Sequence, residues 1–466
     1  MSACIISAFA GALLAAVFSL MPGMHMAFII AILLPVLDVI GVGEVYQIIA
    51  FIGGVTVGNL FFGIIPAIAL SAPDDSTMLI SRYGSRMMMT GKGPEAIALA
   101  ALGTMIGLLL VCLLILPFLG NTGFHFEAFH LRSRWIICSV LAVLVLILIA
   151  GDADSQGAHS RYSGMAAGIL TVILSGVIGY CAFVIRNAES GHPGTITLPL
   201  ISGLFAAPSL LFNCVFRCHR AHLRFGADGS ARGFALPLRN RQMVGRGVPA
   251  EPQRENVVLS RRAPNRRCAR CHNPFQKSAL SDVGRRLIIN SSLSGALGGL
   301  LALAVPFGSA GVGSVCAYNF LRKDRYVAMI SQGVARALYY SMLVLMLLVA
   351  GFPLPALSSS AMICAILRAR GEPLFFAGAC LLLPAVLAMA MLYLLLLKAC
   401  RDAGAVNIRP VSAICLIGLV LIVFLYAGSS GIAVFITATA VGMVPSLYGV
   451  SRIYCLAGLM CPLIYL

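Results

Sequence analysis

Two adjacent carboxylates, Asp74 and Asp75, follow directly after a long apolar run and are flanked by hydroxyl side chains. An ionised side chain at the centre of a bilayer costs at least ~2.5–3.5 kcal/mol, so a carboxylate near membrane depth indicates a function. Oxygen ligands suit a hard cation or a proton. We therefore expect an ion-coupling site formed by Asp74, Asp75 and Ser76, with Thr56 and Asn59 in the preceding span. The alternative is that both aspartates cap a helix beginning at Ser76, beyond the membrane.

Two proline-containing bends interrupt apolar runs, one in each half of the chain. The residues at these bends are Pro22, Gly23, Met24 and His25 in the first half, and Pro306, Gly308 and Ser309 in the second. A broken helix at membrane depth is tolerated only where it is buried in protein or lines a cavity. The backbone N–H groups of a half-helix that starts at such a break can hold an anion. We therefore expect the two bends to bind a carboxylate, with Ser358 and Ser359 contributing hydroxyls.

The central part of the chain carries a separate cysteine pattern. Cys214, Cys218, Cys268 and Cys271 lie near several histidines, and together they could form a tetrahedral structural zinc site. The alternative is that these are reduced thiols, which is the usual state in the cytoplasm. Apart from this zinc ion and a coupling Na+, the sequence predicts no cofactor.

The composition defines the class of protein. Of 466 residues, 60% are hydrophobic and 11% are charged, whereas soluble domains have about 25% charged residues. The formal net charge is +17, and residues 217–286 contain 16 Arg and Lys against 4 Asp and Glu. The positive-inside rule places this basic loop in the cytoplasm. The sequence therefore predicts an all-α polytopic membrane protein with about ten to twelve transmembrane helices, and it leaves no room for a soluble catalytic domain.

The two halves of the chain repeat one spacing. From Pro22 to Asp74 is 52 residues, and from Pro306 to Ser358 is also 52. We therefore expect two inverted-topology repeats with re-entrant or broken helices, at 1–216 and 287–466, separated by the loop 217–286. The alternative is chance, because Gly and Pro are frequent in membrane helices. The spans that this division uses lie near 46–70, 96–119, 133–151, 163–185, 196–216, 327–350, 373–397, 408–427 and 431–448.

Several short motifs resemble the large membrane subunit of tripartite tricarboxylate transporters, the TctA family, and most closely its archaeal-type branch. They are Phe51-Ile52-Gly53-Gly54, Ile65-Pro66-Ala67-Ile68, Ala72-Pro73-Asp74-Asp75, Gly91-Lys92-Gly93-Pro94-Glu95-Ala96, Leu102-Gly103, the bend Pro22-Gly23-Met24-His25, and Gly203-Leu204-Phe205 before the central loop. The second bend departs from the family's usual Pro-Gly pair. The resemblance implies a secondary carboxylate transporter of the cytoplasmic membrane, driven by a cation gradient and assisted by a small membrane subunit and a binding protein.

The expected function is therefore alternating-access transport of a small organic anion of the di- or tricarboxylate kind, coupled to Na+ or H+, and not catalysis. The expected partners are that anion, the coupling cation, membrane lipids and either a second copy of the chain or an accessory subunit. No nucleic-acid partner is expected. Two other classes stay open: an intramembrane enzyme acting on a lipid or peptide, and a membrane sensor or scaffold that signals through the basic loop.

Overall fold

The computed structural model is built almost entirely from helices. It describes residues 2–24, 28–30, 45–89, 91–115, 158–188, 196–215, 222–223, 284–304, 310–320, 325–350, 374–402, 406–448, 450 and 452–460. The helices before the central loop are α1 (Ser2–Ser19), α2 (Val45–Phe62), α3 (Ile64–Ala69), α4 (Met78–Met89), α5 (Gly93–Leu110), α6 (Ala158–Ala188), α7 (Thr197–Ile201) and α8 (Ala207–Val215). Those after it are α9 (Arg285–Ala304), α10 (Ala310–Phe320), α11 (Arg325–Ala350), α12 (Leu374–Asp402), α13 (Ile408–Tyr448) and α14 (Ala457–Met460).

Short irregular segments complete the described chain. A π-helical segment, Val111–Ile115, extends α5, and a second one, Ser202–Ala206, separates α7 from α8. A 3₁₀ turn, Arg452–Leu456, precedes α14. Two short strands, β1 (His222–Leu223) and β2 (Val406–Asn407), pair antiparallel.

The helices confirm the all-α polytopic membrane fold. Six helical segments of the described residues are long and apolar enough to cross a membrane, and two shorter apolar helices accompany them. The expected total of ten to twelve spans stays a prediction. The span expected near 133–151 lies outside the described residues. The two spans expected at 408–427 and 431–448 form the single long element α13, which changes direction at Gly428, where φ is 62° and ψ is −154°.

The first expected break is present. Helix α1 ends at Ser19, and the chain turns through Met21–Gly23, with φ of 85° at Gly23. This left-handed conformation costs glycine no steric penalty. A side chain at Gly23 would also collide with Ala206, since its Cβ would lie 2.7 Å from the Ala206 Cβ. The second expected bend, 305–309, lies outside the described residues.

Three helices of each half lie at a constant sequence offset. Subtracting Pro22 from Pro306 gives 284, and adding 284 to the bounds of α1, α2 and α5 gives 286–303, 329–346 and 377–394. The observed helices α9, α11 and α12 cover these ranges. We name α1, α2 and α5 the first helix set, and α9, α11 and α12 the second helix set.

Helix packing follows the same offset. In the first helix set α1 packs on α2, and in the second α9 packs on α11. Both contacts need a glycine: a Cβ at Gly11 would lie 2.3 Å from the Phe51 carbonyl oxygen, and one at Gly295 would lie 2.4 Å from the Ser331 carbonyl oxygen. The third helix of each set packs against the other set: α12 of the second set packs on α2, and α5 of the first set packs on α11.

The described helices form two groups, and each helix packs mainly against helices of its own group. We call α1–α5 with α9–α12 the core bundle, and α6–α8 with α13 and α14 the flanking bundle, because the main packing partners of each helix lie within its own group. The described contacts between the bundles include the turn at Gly23, which faces Ser202 and Ala206 of the π-helical segment. The Phe28 and Tyr426 rings also meet edge to face, with centroids 6.4 Å apart.

Candidate functional site: a buried arginine facing an acidic loop

Residues 71–77 form a loop, which we name the acidic loop, between α3 and α4. It starts at Ser71, a non-glycine residue with φ of 53°. Asp74 then holds the loop together, because its Oδ1 accepts hydrogen bonds from the Ser76 N–H (3.1 Å), the Ser76 hydroxyl (2.9 Å) and the Thr77 hydroxyl (2.5 Å). This local bonding is typical of an aspartate that organises the start of a helix. One carboxylate of the expected ion site therefore has a clear structural task.

Asp75 occupies a different environment in the same loop. Its side chain is only 5% exposed, and Ser76 and Thr77 beside it are also buried. Tyr339 and Tyr340 of α11 lie close enough to Asp75 for its charge to act on them. Ionising a carboxylate at such a position is costly unless it is compensated, so burial distinguishes Asp75 from Asp74, which is partly exposed.

The second half of the chain places Arg336 opposite this loop. Arg336 is 0% exposed. Its Nε donates to the Ser76 Oγ at 3.0 Å and its Nη1 donates to the Leu60 carbonyl at 3.4 Å. Its Nη2 is buried and makes no hydrogen bond to any residue that the structure describes. Gly63, at the junction of α2 and α3, keeps space beside this nitrogen, since a Cβ there would lie 3.6 Å from it.

Gln332, one helical turn before Arg336 on α11, fixes the main chain of the loop. Its Oε1 accepts the Ile80 N–H at 2.6 Å, and its Nε2 donates to the Ser76 carbonyl. Side chains four residues apart share one face of a helix, so one face of α11 holds both the hydroxyl and the carbonyl of Ser76. Gln332 is itself 0% exposed.

The cluster brings together charged groups of both signs. Asp74 and Asp75 lie on the acidic loop, and Arg336 reaches the same loop through the Ser76 hydroxyl. Carboxylate oxygens suit a hard cation or a proton. The Nη2 group of Arg336 suits an anion, because a guanidinium pairs well with carboxylate oxygens. The cluster therefore contains groups that suit an ion of each sign.

The other expected residues of the first half lie nearby. Asn59 is buried and donates from Nδ2 to the Ser19 Oγ at 3.0 Å and to the Met24 carbonyl at 3.4 Å. It thus ties α2 to the turn that contains Pro22 and Gly23. Thr56 donates to the Ile52 carbonyl of its own helix at 2.8 Å. Since Asn59 and Leu60 are adjacent, the first bend and Arg336 contact neighbouring residues of α2.

Several expected site residues lie outside the described residues. They are His25, Pro306, Gly308, Ser309, Ser358, Ser359, Cys218, Cys268 and Cys271. Cys214 is described, half-buried, and its Sγ lies 4.0 Å from the Arg409 carbonyl oxygen. Within the described ranges, no three His, Cys, Asp or Glu side chains are grouped as metal ligands would be. The zinc site and the second bend remain predictions.

Sequence reasoning missed Arg336 and Gln332, although a signal was available. Both stand inside the apolar run 327–350, which the sequence analysis assigned as a span. An arginine within a membrane segment is rare and marks a functional position. A glutamine at i and an arginine at i+4 also define a polar stripe on one helix face.

Fold and site together define a polytopic helical membrane protein with a buried cluster of charged and polar side chains between its two halves. The model of the Tripartite tricarboxylate transporter TctA family matches residues 5–457, so the chain belongs to this family. The family is a transporter family, whose members are the large membrane subunits of systems that also have a small membrane subunit and a binding protein. The sequence resemblance is thereby confirmed.

An uncharacterised protein of Methanocaldococcus jannaschii is also similar. It is 28% identical over 195 residues, which cover 42% of this chain and 44% of that protein. The match therefore spans less than half of the relative's length. No solved structure matches the chain.

Proposed function

We propose that the protein is a secondary active transporter for small organic anions of the di- or tricarboxylate kind, and that the anion binds at Arg336. The observation that carries this proposal is the fully buried guanidinium, whose Nε holds the acidic loop through Ser76 and whose Nη2 has no hydrogen-bond partner among the described residues. A buried cation without a full set of acceptors is costly, and a carboxylate oxygen at Nη2 removes this cost. Family membership supports the same class of substrate.

The coupling ion is Na+ or H+, and it binds at the acidic loop. Two carboxylates lie on this loop, and a cation bound at Asp75 lowers the repulsion between them and an incoming anion. Two opposite charges 4 Å apart attract by about 4 kcal/mol at an effective dielectric constant of 20. Cation binding at Asp75 therefore favours anion binding at Arg336, which is the coupling that symport requires.

The offset of 284 between the two helix sets supports alternating access by two repeats of inverted topology. In this arrangement the first helix set leads into the acidic loop, and the second supplies the arginine. The chain would lie in the cytoplasmic membrane with residues 217–286 in the cytoplasm, and it would work with an accessory small membrane subunit or as a homodimer.

The test is thermal stabilisation of the purified full-length protein by citrate and by succinate, with and without Na+ and at two pH values. A ligand that binds only the native state raises stability by about 2.7 kcal/mol when present at 100 times its Kd. We expect a carboxylate-dependent increase in Tm that requires Na+ or low pH in the wild type and is absent in Arg336→Gln.

Arg452 provides a matched control for Arg336→Gln. It is also largely enclosed, but its hydrogen bonds go to Ser446, Ser209 and the Phe205 carbonyl, all within the flanking bundle. We expect Arg452→Gln to lower Tm in the absence of ligand while keeping the carboxylate-dependent increase. If the two variants lose the increase equally, Arg336 has no specific role in anion binding.

A further inference from the structure

Asn213 of α8 links the flanking bundle to Leu70, the residue that directly precedes the acidic loop. Its Nδ2 donates to the Leu70 carbonyl at 2.8 Å and to the Ser412 hydroxyl at 3.2 Å. Leu70 belongs to the core bundle, whereas Asn213 and Ser412 both belong to the flanking bundle. All three residues are buried. One amide group therefore makes one hydrogen bond across the interface and one within its own bundle.

The accepting carbonyl lies at a sensitive point of the chain. Leu70 ends α3, and the carbonyls at a helix end have no partner within the helix. The next residue is Ser71, with φ of 53°. A non-glycine residue in the left-handed region is strained and persists only when its surroundings fix it. The Asn213 bond is one of the contacts that fix this turn, three residues before Asp74.

We propose that Asn213 is a positioning residue that holds the acidic loop against the flanking bundle in one state of the transport cycle. This inference rests on the proposed transport function, in which the two bundles change their relative position around the bound ions. The Leu70–Asn213 hydrogen bond crosses the interface, so a relative movement of the bundles has to break it. Its strength therefore contributes to the relative populations of the two states.

Other described contacts between the bundles are of a different kind. The turn at Gly23 meets Ser202 and Ala206, Gly418 of α13 faces the Met21 side chain, and the Phe28 and Tyr426 rings meet edge to face. These are van der Waals and aromatic contacts, whereas the Asn213 bond joins one donor to one acceptor and so favours one arrangement of the bundles.

The first experiment is amide hydrogen exchange of the full-length protein, which needs no substrate. The Leu70 and Ala72 N–H groups both bond to the Pro66 carbonyl, at 3.0 and 3.5 Å, and report the order of this turn. In Asn213→Leu we expect exchange across 70–77 to accelerate by about tenfold, as for a lost hydrogen bond that protects a local structure. In Ser412→Ala, which removes only the bond within the flanking bundle, exchange should stay within about twofold of the wild type.

The second experiment is citrate uptake by proteoliposomes that contain each variant. We expect Asn213→Leu and Asn213→Asp to change Vmax per folded molecule by about threefold or more, because the equilibrium between states moves while the ion contacts remain. A residue with a merely structural role would lower Tm and leave Vmax per folded molecule unchanged.

Wild-type exchange rates at 70–77 in Asn213→Leu would overturn the positioning role, whether or not citrate is transported. A wild-type Vmax in both Asn213 variants would also overturn it. The proposed function fails separately, if the wild-type protein neither takes up nor is stabilised by any carboxylate. The exchange measurement then still decides whether Asn213 fixes the loop.

Discussion

The first and second helix sets share one frame but carry different chemistry. At the offset of 284, Gly11 corresponds to Gly295, and each lets one helix approach the backbone of the next. On the following helix, Ile48 and Ile52 of α2 correspond to Gln332 and Arg336 of α11. All four of these residues are buried. The same positions are therefore apolar in one set and carry the buried cation of the site in the other.

This difference shows how a repeated frame can produce an asymmetric site. Helix packing depends on small residues at close contacts, and these occur in both sets. Chemistry depends on a few polar side chains, and these are divided: the first half supplies Asp74, Asp75 and Ser76, and the second supplies Gln332 and Arg336. Ser76 and Arg336 meet across 260 residues of sequence.

The largest effect is expected from replacing the buried arginine of the second helix set by the residue at the matching position of the first helix set. Arg336→Ile introduces the residue found at Ile52, so it removes the cation and keeps an apolar side chain. We expect carboxylate affinity to fall by about 1.5–3 kcal/mol, or roughly 10- to 150-fold, the usual value of hydrogen bonds to charged groups. Isothermal titration with citrate measures this loss. Retained affinity would show that the two sets do not differ in function at this position.

A second prediction concerns the shared frame. Gly11→Ala and Gly295→Ala each place a methyl group within 2.4 Å of a backbone oxygen, so each should destabilise the protein by about 1–3 kcal/mol, as overpacking does. Chemical denaturation compares the two variants. Because neither glycine contacts the site, the Kd for citrate of the folded fraction should not change. A large loss in only one variant would contradict the equivalence of the two sets.

A third prediction concerns replacing Asp75 of the acidic loop by the residue at the matching position of the second half. The offset pairs Asp75 with Ser359, so Asp75→Ser gives the first half the residue of the second. The substitution removes the buried carboxylate proposed to bind the coupling ion and leaves Asp74 in place, so we expect about a tenfold dependence of citrate affinity on Na+ or H+ to disappear, which corresponds to ~1.4 kcal/mol. Asp74→Ser serves as the comparison, and it should lower stability through the lost loop hydrogen bonds. Unchanged cation dependence in Asp75→Ser would place the coupling ion elsewhere.

The smallest effect is expected from the segment that joins the two halves. Deletion of residues 225–265 removes most of the basic loop and leaves both helix sets intact. A transporter should keep its citrate affinity within about twofold, because its site lies between α11 and the acidic loop. A sensor that signals through this loop should lose its output. Titration of the deletion protein with citrate separates the two classes.

The sequence predicted the fold better than the site. Apolar runs and the Pro22–Gly23 break determine helices locally, so the spans at 46–70, 163–185 and 196–216 agree with α2, α6 and α7–α8. The aspartate pair was recognised because it follows an apolar run directly. The sequence did not show that the two aspartates have different surroundings, because Asp74 and Asp75 are chemically identical and differ only in the residues that pack around them.

Arg336 could have been found from its position in an apolar run, but its partner could not. Nothing local connects it to Ser76, because that contact depends on how α11 packs beside α4. The sequence also does not show that α12 packs on α2 and that α5 packs on α11, because these contacts depend on the tertiary fold. Periodicity predicts that a helix exists and leaves its neighbour undetermined.

The π-helical segment Ser202–Ala206 determines the angular position of everything that follows it in α8. A π-helical turn contains one residue more than the α-helical turn it replaces, and each residue of an α-helix rotates the chain by about 100°. Because the extra residue is taken up within one turn, deleting one residue of this segment would leave a regular α-helical turn and keep Asn213 on the face that meets Leu70. A single deletion within 207–212 of α8 has no such turn to absorb it, so it would rotate Asn213 about the helix axis by about 100°. That deletion would disconnect the flanking helix from the loop that carries the carboxylates, without replacing any residue of the site.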